Sequence, residues 1–171
     1  MFKPSERWCW HYCPDKDRLL LDISAQAQFC SPFRAAQLLQ QPCHQALSMA
    51  EAEAFWAIDD SLAQLGLPAE LQLELSLTAL SAAYLQLQAH KSWYFQQGAL
   101  CNAKQYDIVT LRGLSTQYAI VLSAELDAVT CLLLDDMTTL AGKVLPRLQV
   151  VRVLRNRINP LDITVPYRHT A

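Results

Sequence analysis

The sequence predicts an α+β fold in two parts. An α/β amino-terminal domain with a β-hairpin and an αα-hairpin is expected over 1–97, and a β-rich, small barrel-like carboxy-terminal domain over 98–171. Three observations carry that prediction. Trp8, Trp10 and Tyr12 alternate with Cys9, His11 and Cys13, and RLLLDI (Arg18 to Ile23) follows across Pro14–Asp17, the pattern of two strands joined by a turn. From Ser48 onward comes a long stretch of helix formers, punctuated at Gly66. After His90 the composition changes to short β-like pieces separated by glycines and polar pairs.

The elements follow in order. Ser31-Pro32 reads as an N-cap and a first-turn proline opening a short helix to Leu39, and 40–46, broken by Pro42, reads as loop. Ser48 and Glu51 have the spacing of a capping box. The helix they open places Phe55, Ile58, Leu62 and Leu65 on one face and stops before Gly66. Pro68 suits the first position of the next helix, PAELQLELSLTALSAAYLQLQ. Leu71, Leu73, Leu75 and Leu77 alternate as in a strand, but a length of about twenty residues with one β-branched residue, Thr78, favours helix. At a period of 3.6, Leu73, Leu77, Leu80, Tyr84 and Leu87 form one stripe, and Leu71, Leu75, Ala82 and Leu85 a second on nearly the opposite side. A helix apolar on two sides is expected between two layers. It leads into Lys91-Ser92-Trp93-Tyr94-Phe95, and strands are expected around 92–97, 105–111, 117–123, 128–134 and 147–154. The tail from Pro160 is expected to be loosely held.

Composition narrows the function classes. Hydrophobic residues at 52% against 18% charged exclude a disordered chain. No apolar run is long enough to span a membrane and MFKPSERWCWHYC has no signal-type apolar stretch, so a soluble cytoplasmic protein is expected. Six cysteines without a CxxC pair are expected to be free thiols. The net charge of −2 conceals a segregation. Between Arg34 and Lys91 there are acids and no Lys or Arg; between Asp136 and Asp162 there are Lys143, Arg147, Arg152, Arg155 and Arg157 and no acid. Two solvated faces of opposite sign fit this, and so does a basic surface for an acidic partner with an acidic surface elsewhere.

Catalytic chemistry finds no foothold. Cys9, His11 and Cys13 do not have the spacing of zinc ligands, and no local signal marks a cysteine as activated by a histidine. Four glycines cannot supply a phosphate-cradling loop, and no hydrolase or metalloprotease motif is present. Asp59-Asp60 and Asp135-Asp136 read as solvated acids. In LPRLQVVRVLRNRIN the cations alternate with aliphatic residues rather than stacking aromatics, which fits a protein interface better than nucleic acid. Trp93 beside Lys91 has the composition of an interface anchor, with core packing as the equal alternative.

Trp8, Trp10, Tyr12, DRLLLD (Asp17 to Asp22), FCSPF (Phe29 to Phe33), Ala83 to Leu85 and KSWYF (Lys91 to Phe95), then Thr130-Cys131, Ala141-Gly142-Lys143 and Arg155 to Pro160, together resemble the ZapC family of cell-division proteins. The stretch from about 99 to 127 matches poorly. The resemblance implies a two-domain, non-enzymatic cytoplasmic factor without a cofactor or metal. Such a factor binds the tubulin-like GTPase FtsZ directly, promotes lateral bundling of its protofilaments and stabilises the Z-ring at midcell. It also implies that Lys91 and Arg157 occupy positions of partner contact and that Leu21 matches an important one; Trp93 and Arg155 are the neighbouring candidates. Gln86 and Gln88 stand where relatives carry a basic residue, which shifts that contact to His90 or removes it. FtsZ is the expected partner, with no nucleic acid, no membrane and at most weak self-association. The alternative is a cytoplasmic small-molecule or nucleotide-responsive binding module, with a pocket between the central helix and the hairpin lined by Trp8, Trp10 and Trp93.

Overall fold

A computed structural model of the chain describes residues 2–86, 89, 91–99 and 101–161. The chain divides into two compact units, Met1–Leu87 and Gln88–Ala171. Both are α+β or β in character, in line with the sequence-predicted class, and each is taken by itself.

In the first unit β1 (Cys9–Cys13) and β2 (Arg18–Asp22) form the expected antiparallel hairpin, with Trp10 opposite Leu21 and Tyr12 opposite Leu19. Asp17 closes the turn with a positive φ of 49°, a conformation Asp tolerates better than most residues. Its carboxylate accepts hydrogen bonds from Tyr12 Oη (2.7 Å) and Ala35 N (3.0 Å), which hold it below the ordinary Asp pKa of 3.8, the Tyr12 bond contributing most. Two short strands escaped the sequence pattern: β3 (Gln28–Cys30) beside β2, and β4 (Gln45–Ala46) beside β1, giving the order β3-β2-β1-β4. The helix expected from Ser31 to Leu39 shrinks to one 3₁₀ turn, Ala35–Gln37. Ser31 is buried, and its Oγ accepts from Phe33 N rather than capping a helix.

The capping box forms as read: Ser48 Oγ accepts from Glu51 N, and Glu51 Oε2 accepts from Ser48 N, opening α1 (Met49–Ala63). Glu51 Oε1 also accepts from Tyr84 Oη at 3.0 Å. Phe55, Ile58 and Leu62 are fully buried, and Phe55 meets Trp8 edge to face at 5.6 Å. Gly66, at φ 63°, turns the chain into α2 (Ala69–Ser81), with Pro68 one residue earlier than expected, at the N-cap. Leu75 through Ser81 are all buried, so the second half of α2 is enclosed on every side. The polar residues there are satisfied internally: Ser81 Oγ donates to Thr78 O, and Ser76 Oγ and Gln72 Nε2 donate to Asp59 Oδ1. Asp59 is therefore a buried, hydrogen-bonded acid and not the solvated one its sequence context suggested; Asp135 is likewise buried.

The long helix ends early. After Ser81 a 3₁₀ turn (Ala82–Tyr84) follows, and Leu85 bridges Leu38. Leu39 N donates to Tyr84 O and Gln86 N to Gln37 O, so extended pairing with 37–39 replaces further helical turns. Leu87, Gln88 and His90 lie outside the described residues.

The second unit is one antiparallel sheet of β5 (Ile108–Arg112), β6 (Thr116–Ala124), β7 (Ala128–Leu133), β10 (Val150–Leu154) and β11 (Ile158–Pro160), in the order β10-β7-β6-β5-β11. A small two-stranded sheet pairs β8 (Met137–Thr138) with β9 (Val144–Leu145). The poorly matching stretch thus contains β5 and β6. Edge strands β10 and β11 are joined by only a 3₁₀ turn, Arg155–Arg157. Five flat strands would hold those edges about 19 Å apart, farther than the roughly 14 Å that four residue steps can reach. The sheet must therefore curl, helped by a bulge between Val121 and Ser123. Among the described residues strand pairing does not close it into a barrel, and the expected barrel-like part is a curled open sheet. The segment 91–98 crosses instead: Lys91 N donates to Arg152 O of β10, Gln96 N to Arg112 O of β5, and Gly98 N to Asn156 O. This strap is a 3₁₀ turn at Ser92–Tyr94, not the strand expected over 92–97. Phe95 projects inward and is fully buried among Leu111, Val121, Val129, Val151 and Ile158.

Candidate docking site

The strap presents its residues by a simple division. Phe95 anchors it inside, Ser92 Oγ accepts Leu154 N at 2.8 Å, and the turn between them pushes Trp93 outward, where it is 64% exposed. The Trp93 ring rests against Tyr94 with centroids 3.8 Å apart. Tyr94 joins the strap to the β8–β9 hairpin: its carbonyl accepts Leu140 N at 2.9 Å, and Lys143 Nζ stands 5.8 Å from its ring centroid. Leu140 and Leu154, whose backbone N–H groups bond to Tyr94 and Ser92 of the strap, are exposed. A surface Trp among exposed aliphatics is the composition of a protein-binding patch, and the lysines beside it add positive charge at its rim.

Among the described residues the positive charge of this patch has no carboxylate set against it. Burial, and then the neighbouring Lys143, push the Lys91 pKa below its ordinary value. Among the described residues no carboxylate lies within ion-pair distance of either lysine. An acidic partner group placed here would favour the charged form of Lys91 and offset the repulsion from Lys143.

The other sequence-predicted residues divide differently. Arg155 and Arg157 adjoin the strap, but their guanidiniums are turned to backbone carbonyls. Arg155 donates from Nε to Glu125 O (2.7 Å) and from Nη1 to Ala103 O (3.0 Å) and Cys101 O (3.4 Å); Arg157 Nη1 donates to Phe95 O (3.4 Å). Arg152 pairs with Glu125. Leu21, which the resemblance places at an important position, is 0% exposed in the first unit, opposite Trp10 and Phe29. The pocket expected around Trp8, Trp10 and Trp93 is not formed by them. Trp8 and Trp10 are filled core of the first unit, Trp10 packing on Tyr84 at 5.3 Å, whereas Trp93 is an exposed residue of the second unit.

Sequence reasoning missed Leu140 and Leu154 as members of the patch. Lys143 was visible in the basic run, but only the Tyr94–Leu140 hydrogen bond places it beside the strap. An activated thiol finds no support: burial pushes Cys131 up to about 12 and raises Cys9 as well, the opposite of activation. Six thiols are free, and no group of three or more potential metal ligands is assembled among the described residues.

Two family models account for most of the sequence: cell-division protein ZapC, N-terminal, over 1–96, and cell-division protein ZapC, C-terminal, over 87–164. The chain belongs to the ZapC family of cell-division proteins. Curated relatives named cell division protein ZapC agree over nearly full length. That of Pseudoalteromonas translucida is 32% identical, covering 94% of each chain. That of Aeromonas hydrophila is 27% identical over 94% of this chain and 93% of its own, and that of Ferrimonas balearica 28% over 92% and 91%. The ZapC assignment reaches both units, and the strap that carries Lys91 and Trp93 lies where the two family models overlap. Within the described residues no helix is long and apolar enough to cross a membrane.

Proposed function

We propose that this ZapC-family chain binds FtsZ directly through the Lys91–Trp93–Lys143 patch, promotes lateral association of FtsZ protofilaments and so stabilises the Z-ring at midcell, acting in the cytoplasm without catalysis. Family membership across both units supports the division role. The single observation that carries the docking reading is an exposed Trp93 beside two lysines with no carboxylate partner among the described residues. Aromatic anchors surrounded by charge supply much of the energy of protein interfaces, and uncompensated cations steer toward acidic surfaces. Bundling then needs a second contact, because one molecule must hold two filaments or two molecules must pair.

The test is light scattering of FtsZ with GTP, with and without the chain, followed by microscopy for bundles and by co-sedimentation with charge-reversed Lys91→Glu and Lys143→Glu. Scattering should rise with the wild type and fall back with either reversal, most clearly at low salt. Unchanged scattering with the wild-type chain would refute direct bundling. The small-molecule reading keeps no comparable support, since the tryptophans that were to line its pocket pack as core or stand exposed.

A further inference from the structure

Lys91, Arg155 and Arg157 look equivalent in the sequence, as cations near one strap, but the fold uses them in two ways. We propose that Arg155 and Arg157 are positioning residues: Arg155 fixes the Arg155–Arg157 turn against its neighbouring segments, Arg157 and the turn's backbone hold the Lys91–Gly98 strap in its docking geometry, and neither arginine meets the partner with its charge. A guanidinium offers five N–H donors in a rigid fork. That of Arg155 joins three carbonyls from two segments, Glu125 on one side and Cys101 and Ala103 on the other. Arg157 reaches the carbonyl of Phe95, two residues beyond Trp93. The same turn and the strand after it take the strap's own donors: Gly98 N bonds Asn156 O at 2.6 Å, and Ala99 N bonds Asn159 Oδ1 at 3.2 Å. The fit is close, because a Cβ on Gly98 would meet Asn159 Oδ1 at 2.7 Å and Ile158 O at 2.8 Å. Lys91 and Lys143, by contrast, have no carbonyl or carboxylate assigned to their ammonium groups among the described residues.

The two roles differ in a measurable way. A cation that touches a partner contributes an attraction that salt screens. A cation that holds backbone geometry changes the population of docking-competent strap and leaves the salt dependence as it was. This inference rests on the proposed FtsZ reading for its binding arm, so a partner-free arm accompanies it.

Full-length wild type, Arg157→Gln, Arg155→Lys and Lys91→Gln are compared by hydrogen exchange without partner and by affinity for FtsZ polymer across a salt series. Arg157→Gln and Arg155→Lys should speed exchange at the amides of Gln96 and Gly98 by about tenfold, whereas Lys91→Gln leaves them unchanged. In binding, the arginine variants should fall parallel to the wild-type salt line and Lys91→Gln should flatten it. Arg155→Lys keeps the charge, so wild-type binding by that variant overturns the proposal, as does unchanged exchange with a flattened salt line for Arg157→Gln. If Lys91→Gln binds as wild type at every salt concentration, the docking reading fails, and the exchange data alone decide the staple.

Discussion

Trp93→Ala and Phe95→Ala, two residues apart, should have opposite consequences, and the contrast tests the division between surface and core in the strap. An indole carries roughly 250 Å² of surface, and Trp93 is 64% exposed. It therefore offers about 160 Å² to a partner and buries about 90 Å² in the free protein, ceilings of about 4 and about 2 kcal/mol at 25 cal/mol per Å². Hot-spot truncations of this kind cost about 2 kcal/mol or more, so affinity for FtsZ, the proposed partner, should drop roughly 30-fold with only a small loss of stability. Phe95 is fully buried in the curled sheet, and its truncation should destabilise that unit by about 3–5 kcal/mol. The assays are co-sedimentation over a range of FtsZ concentrations and denaturant unfolding of each variant. Wild-type pelleting by folded Trp93→Ala would sink the docking argument, and wild-type stability of Phe95→Ala would sink the assignment of the core.

Three further outcomes follow from the fold. Ser48→Ala removes one half of the capping box and should cost about 1 kcal/mol in denaturant unfolding; an unchanged midpoint would mean that the box contributes nothing to α1. Gly98→Ala forces a methyl against Asn159 and the Ile158 carbonyl and should lower the melting temperature of the β-rich unit, a shift that calorimetry would show or deny. Asp17 has its folded pKa lowered below 3.8 by the Tyr12 and Ala35 hydrogen bonds. It therefore contributes stability above the unfolded value that is lost as pH falls through the folded one. Asp17→Asn should accordingly be less stable at neutral pH and show a shallower acid limb, whereas an identical acid limb would contradict the assignment.

Local signals were readable where they act within one turn or one pair of strands. The hairpin of β1 and β2, the Ser48–Glu51 box and the buried stripe of α1 all rest on contacts within a few residues of each other in the chain. Elements whose reason for existing is a distant partner were not. The last turns of the expected long helix lost to pairing of 84–86 with 37–39. The strands β3, β4, β8, β9 and β11 are two or three residues long, too short to show a period. Asp59 looked solvated because its partners, Gln72 and Ser76, stand on another helix.

The same line divides the candidate site. The sequence by itself determined the α+β class, the family, and the concentration of cations and an aromatic cluster around KSWYF and RNRINP. It could not decide which of those side chains faces solvent, because a 3₁₀ turn and a strand alternate differently and nothing within the strap selects between them. That choice was made by long-range hydrogen bonds, from Leu154 N to Ser92 Oγ and from Leu140 N to the Tyr94 carbonyl. They send Phe95 into the core and leave Trp93 outside. Only the tertiary structure distinguished the cations as well: Arg155 donates to backbone carbonyls, whereas Lys91 has no carboxylate near it among the described residues.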